Sequence, residues 1–143
     1  MIRKFNKEAI NSVVVLTKEV YQNSTVSELE KELLASLEDE HRQFFLYIIN
    51  NEVVGFSEVT LRMDYVEGLD SGGCGYLEGV FVKEEYRGQG IARQLVMTCQ
   101  QWSEEKGGKG FASDCEQTNE TSRLFHESIG FKEVSRNIHF VFE

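Results

Sequence analysis

Proline is absent from this 143-residue chain, cysteine occurs only three times, and positive charge is in short supply. Without proline, glycine must do the punctuation, and it is present 12 times. Cys74, Cys99 and Cys115 are odd in number and widely separated, which fits neither a disulfide framework nor a CxxC zinc or redox site; three reduced thiols and no metal are expected. An uninterrupted apolar run of about 18 residues is also missing, which excludes a membrane-spanning helix. Met1 to Glu8 lacks the apolar stretch and small-residue cleavage site of a secretory signal, so a cytoplasmic protein is expected. With 15 Lys+Arg against 24 Asp+Glu, the net charge is −9. Such a chain repels nucleic acid and anionic membranes, so neither is expected as a partner, and a cationic ligand fits better.

What remains is an ordinary globular composition, 41% hydrophobic and 27% charged. A chain of this size hides roughly 68% of its unfolded surface, enough for one domain over residues 1–143. Ile2 to Phe5 reads as a short strand. Ile10, Val14 and Leu16 to Val20 suggest a helix, weakened by the β-branched run Val13-Val14-Val15. Thr25-x-x-Glu28 and Ser27-x-x-Glu30 both spell a capping box, and Leu29, Leu33 and Leu37 then mark one face of a second helix to about Glu40. Phe44 to Ile49 and Val53 to Leu61 read as a hairpin turning at Asn50-Asn51. Arg62 to Gly73 reads as an acidic surface loop and Tyr76 to Val82 as a strand. Ile91, Leu95, Cys99 and Trp102 lie at helical spacing, ended by Gly107-Gly108. Phe111 to Asp114 follows as a strand, Asn119 to Ser128 as a helix and Ile138 to Phe142 as a last strand. The interspersed order predicts an α/β (α+β) fold with a mixed central sheet flanked by helices.

The segment Val80-Phe81-Val82-Lys83-Glu84-Glu85-Tyr86-Arg87-Gly88-Gln89-Gly90-Ile91-Ala92 joins a strand to a helix through two closely spaced glycines. Successive N–H groups in such a turn, followed by an open helix N-terminus, form a cradle for phosphate oxygens. The lysine of a Walker loop and the third glycine of a dinucleotide fingerprint are both absent, so the glycines alone fit a simple strand–helix turn as well as a diphosphate site.

In this context Arg87-x-x-Gly90-x-Ala92 resembles the coenzyme A signature of the GNAT N-acetyltransferase superfamily. A second match runs from Asn119 to Gly130-Phe131. The resemblance implies the GNAT fold, with splayed central strands, and acetyl-coenzyme A as co-substrate. It implies that Val80, Phe81 and Val82 accompany the pantetheine arm and that Arg87, Gly88, Gln89, Gly90, Ile91 and Ala92 hold the pyrophosphate. Asn119 and His126 would flank the thiol. His126 stands where the superfamily often has a tyrosine proposed to protonate the departing thiolate, which leaves the identity of that acid open.

Asp64-Tyr65-Val66-Glu67-Gly68, Tyr76 to Val82 and Phe111 to Asp114 together resemble the aminoglycoside 6'-N-acetyltransferases, over roughly residues 55–140. The N-terminal helices match that group poorly: Val20-Tyr21-Gln22 stands where it often has Leu-Trp-Pro. The resemblance implies a polycationic acceptor bound by Asp64, Tyr65, Glu67, Glu78 and Asp114, with Tyr21 either a platform under a sugar ring or a core aromatic. An ammonium must lose a proton before it attacks a thioester. Asp114 is the first choice for base and Glu78 the second or the group that orients the amine. The N–H of Val80 is the implied donor to the oxyanion, and direct transfer is expected without a thioester on Cys115. A homodimer is expected, with Ile138 to Phe142 pairing across its edge. Two alternatives keep the cofactor half: acetylation of a polyamine or protein amine, and a non-catalytic acyl-coenzyme A-binding module.

Overall fold

In a computed structural model, which describes residues 1–63 and 73–142, a five-stranded sheet in the order β1-β2-β3-β4-β5 carries helices on both faces. The strands are β1 (Ile2–Lys4), β2 (Arg42–Ile49), β3 (Glu52–Arg62), β4 (Cys74–Val82) and β5 (Phe111–Ser113). The helices are α1 (Ile10–Val20), α2 (Val26–Ser36), α3 (Ile91–Glu105) and α4 (Glu120–Ser128). The first four strands are antiparallel neighbours and β5 joins β4 in parallel, so the sheet is mixed as expected.

Strand alternation sorts the core into two layers. Phe44, Leu46 and Phe56 pack with Val13, Val14 and Leu16 of α1 and Leu33 of α2. Phe45, Val59, Leu61 and Leu77 pack on the other face with Leu95, Cys99 and Trp102 of α3, joined by Phe125, Ile129 and Phe131 from the α4 region. The Val13-Val14-Val15 run is helical after all, because burial of Val13 and Val14 outweighs the small helical penalty of β-branching. Of the two capping-box spellings, Thr25 is the one used. Its hydroxyl accepts from the Glu28 N–H at 3.1 Å and the Glu28 carboxylate accepts from the Thr25 N–H at 2.8 Å. Such caps contribute about 0.5–2 kcal/mol. The helix ends at Ser36, earlier than the expected Glu40. Asn50 and Asn51 turn the β2–β3 hairpin with φ of 49° and 66°, values that asparagine tolerates better than most residues.

The expected last strand is a correction. Ile138 to Phe142 has no strand assignment among the described residues, and Phe140 is 85% exposed. A strand needs a ladder partner, and among the described residues no strand is registered to this segment; β5, the nearest in sequence, offers only a three-residue edge.

Candidate active site

Two backbone features build the site before any side chain enters. The first is a divergence of β4 from β5: they pair over Gly75–Leu77 and Phe111–Ser113, and among the described residues Glu78 to Val82 have no strand neighbour on that side. The Lys83 N–H donates to the Val54 carbonyl at 2.8 Å, and the register then runs Val82 to Gly55, Phe81 to Phe56 and Val80 to Ser57. The alternation of an antiparallel ladder therefore points the N–H of Val80 away from β3 and into the gap. The Val82 carbonyl, in the same phase, accepts from Arg87 Nε at 2.8 Å. The second feature is a bulge. Glu58 faces Gly79 and Val59 faces Leu77, which leaves Glu78 as the extra residue of β4 and re-aims its side chain.

Beyond β4 the chain makes a short 3-10 turn, Glu84–Tyr86, and enters α3 through Arg87 to Gly90. Gly88 and Gly90 have φ of 81° and 80°, the left-handed region that disfavours a side chain, with open space where a Cβ would stand. Gly90 is the N-cap, no side chain caps the helix, and its first turn holds no acid. The cradle is thus formed of backbone N–H groups with no carboxylate in the first turn of α3, which fits a diphosphate. Ile91 and Ala92 turn their side chains toward the core and leave only their backbone to the cradle, whereas Gln89 is exposed.

On the α4 side, Asn119 is the N-cap, its Oδ1 accepting from the Ser122 N–H at 3.0 Å. His126 has both ring nitrogens engaged. Nδ1 lies 2.7 Å from the Ser122 carbonyl, which only accepts, so Nδ1 carries a proton; Nε2 faces Ser113 Oγ at 2.8 Å. Ser113 Oγ also lies 3.1 Å from the Leu77 carbonyl on β4. Phe131 stacks beside the ring at 5.3 Å.

The acceptor-side carboxylates have defined partners. Asp114, exposed at the end of β5, accepts from the Tyr76 hydroxyl at 2.6 Å. Burial and that carboxylate push the Tyr76 phenol upward, so it stays a donor. Glu78 accepts from Thr60 Oγ1 at 2.6 Å and from Arg62 Nη2 at 2.9 Å. Tyr21, at the end of α1, donates to Glu58 at 2.6 Å and packs 6.5 Å from the Phe56 ring. Its oxygen stands 2.4 Å from where a Cβ on Gly79 would be, so any side chain there would displace the Tyr21 hydroxyl. Glu58 is 5% exposed, and burial raises its carboxyl against the opposing pull of Arg42, which bonds it at 2.7 Å. Tyr21, Glu58, Arg42, Glu32 and Phe44 line a cavity of about 200 Å³ between the two N-terminal helices and strands β2 and β3.

Sequence reasoning missed Arg62, Tyr76, Ser113 and Glu58. Glu58, Thr60 and Arg62 alternate along β3, a polar stripe that a pleated strand turns to one face, and that signal was available. Asp64, Tyr65 and Glu67 lie outside the described residues. Cys115 is exposed, Cys74 and Cys99 are buried, and all three are free. Among the described residues no group of three or more His, Cys, Asp or Glu is placed to hold a metal ion, and no helix is long and apolar enough to cross a membrane.

A diverging β4, a left-handed glycine pair and an uncapped α3 describe an acyl-coenzyme A site, and residues 10–131 match the acetyltransferase (GNAT) family. The chain belongs to that family. The aminoglycoside N(6')-acetyltransferase type 1 of Salmonella typhimurium is 36% identical over 73% of this chain and 72% of its own. A solved structure of aminoglycoside N-acetyltransferase AAC(6')-Iy with coenzyme A superposes with a TM-score of 0.94 at 30% identity, over 99% of this chain and 93% of that one. The same enzyme with a bisubstrate analogue, CoA-S-monomethyl-acetylneamine, gives 0.93, over 100% and 97%. Both expectations, the GNAT fold and the aminoglycoside branch, therefore stand.

Proposed function

We propose that this protein is an aminoglycoside 6'-N-acetyltransferase that moves the acetyl group of acetyl-coenzyme A directly to the 6'-amine of the antibiotic, conferring resistance. The observation that carries it is the joining of Glu78 and Asp114, through Arg62 and Tyr76, at the gap that opens beside Val80. Backbone N–H groups from Arg87 to Ala92 hold the pyrophosphate, and Val80 to Val82 accompany the pantetheine arm, with Asn119 and His126 beside the thiol. Asp114 takes the ammonium proton, directly or through a water, and Glu78 orients the amine. The freed lone pair forms the N–C bond, the Val80 N–H steadies the oxyanion, the nitrogen gives up its second proton to water, and collapse of the oxyanion breaks the C–S bond to a thiolate. His126 returns a proton to that sulfur, with Ser113 as its connection toward β4. Tyr21, held by Glu58, walls the acceptor side, and Asp64, Tyr65 and Glu67 are assigned to binding the polycationic acceptor from the sequence resemblance alone. Relatives named for this activity and the complex of AAC(6')-Iy with an acetylneamine conjugate of coenzyme A support the reading.

The protein acts as one catalytic domain in the cytoplasm, as a homodimer in which the exposed Ile138–Phe142 segment pairs with a second copy. Comparing kcat/KM for an aminoglycoside, a linear polyamine and a lysine peptide tests the acceptor class. Preference for the aminoglycoside by at least about a hundredfold, near 2.7 kcal/mol, is expected; preference for the polyamine or peptide would replace the reading.

A further inference from the structure

Arg62 puts a positive charge beside Glu78 and against the ring of Tyr76. It closes β3 on the same strand face as Glu58 and Thr60. Its guanidinium grips Glu78 as a fork: Nη2 lies 2.9 Å from each carboxylate oxygen, and Nε lies 3.1 Å from Oε2. Cζ stands 3.4 Å from the Tyr76 ring centroid, and the hydroxyl of that ring bonds Asp114. One cation therefore touches Glu78 directly and Asp114 through a single ring. A cation so placed offsets the charge of Glu78 while no cationic ligand is bound.

The contact is also built to be exchanged. The Arg62 side chain is 42% exposed and that of Glu78 23%, so the guanidinium can swing into water at small cost. A ligand ammonium then replaces it on Glu78 with charge-assisted hydrogen bonds of the same kind. Resting on the aminoglycoside reading above, we propose that Arg62 is an internal stand-in for the acceptor's ammonium, displaced from Glu78 as the aminoglycoside binds, and that it thereby sets acceptor affinity. A fixed orienting role for Arg62 makes the opposite prediction, since losing it would then weaken acceptor binding.

Steady-state kinetics of the wild type, Arg62→Gln and Arg62→Lys separate these roles. Arg62→Gln removes the competing charge and lowers the aminoglycoside KM about fivefold, the scale of a part-exposed ion pair, while the KM for acetyl-coenzyme A stays unchanged. Arg62→Lys keeps the charge and stays within about twofold of the wild type. Should Arg62→Gln unfold at assay temperature, Arg62→Met, whose apolar stem still covers Tyr76, carries the same test. An unchanged or raised aminoglycoside KM in a folded neutral variant would overturn the proposal. A wild type that turns over no aminoglycoside would instead remove the reading on which it rests.

Discussion

Asp114 combines an exposed carboxylate with one short bond from the Tyr76 hydroxyl, which fixes the group without burying it. That is what a base for a solvent-delivered cation requires. Asp114→Asn keeps the shape and removes the basic oxygen; kcat should fall by about a hundredfold or more with the acetyl-coenzyme A KM unchanged, read by thiol release across pH. An unaltered pH–rate profile in that variant would remove Asp114 from the role. At this scale the sequence was half legible. Glu78, Asp114 and His126 could be named because the motif around them carries them, but the pairing of Tyr76 with Asp114 and of Arg62 with Glu78 joins residues 38 and 16 positions apart. Only the folded sheet brings such residues together.

Local rules are strongest within single elements, and the Thr25–Glu28 capping box and the Asn50-Asn51 turn were readable because their determinants lie within four residues. The β4 bulge at Glu78 was not readable, since it depends on the register of a neighbouring strand, and the parting of β4 from β5 was foreseen only through the GNAT resemblance. Ile138 to Phe142 has the alternation of a strand but, among the described residues, no ladder partner, so pattern alone overstated it. The α3 cradle gives the prediction proper to an element. Gly90→Val forces a β-branched residue into φ of 80° at the N-cap, at a cost of about 1–2 kcal/mol. The acetyl-coenzyme A KM should rise at least about tenfold while the aminoglycoside KM changes little. Equal effects on both substrates would assign the damage to general unfolding.

Across the whole molecule, burial holds protons on groups that would release them in the unfolded chain. The phenols of Tyr21 and Tyr76 are raised, mainly by burial, and the Cys99 thiol is pushed up to about 12. Unfolded thiols and phenols titrate near about 8.5 and about 10, so in alkali the unfolded state binds fewer protons than the folded one. Stability therefore falls as pH rises, and the thermal midpoint should drop steadily above about pH 9. A midpoint flat to about pH 11 would mean these groups are not buried in solution.

The exposed tail is the other whole-molecule feature. Phe140 and Phe142 are 85% and 102% exposed, an apolar edge that a second copy would cover. Sedimentation should find a dimer for the wild type and a shift to monomer in Phe140→Asp; a monomeric wild type would leave the tail without that role.

The central claim is acetyl transfer to a 6'-amine, and paired acceptors test it most directly. Two aminoglycosides differing only in a 6'-amine or 6'-hydroxyl are each mixed with the protein and acetyl-coenzyme A, and free thiol is followed. Release with the amine alone is the predicted result. Release with both, or with neither despite measurable acetyl-coenzyme A binding, would contradict it.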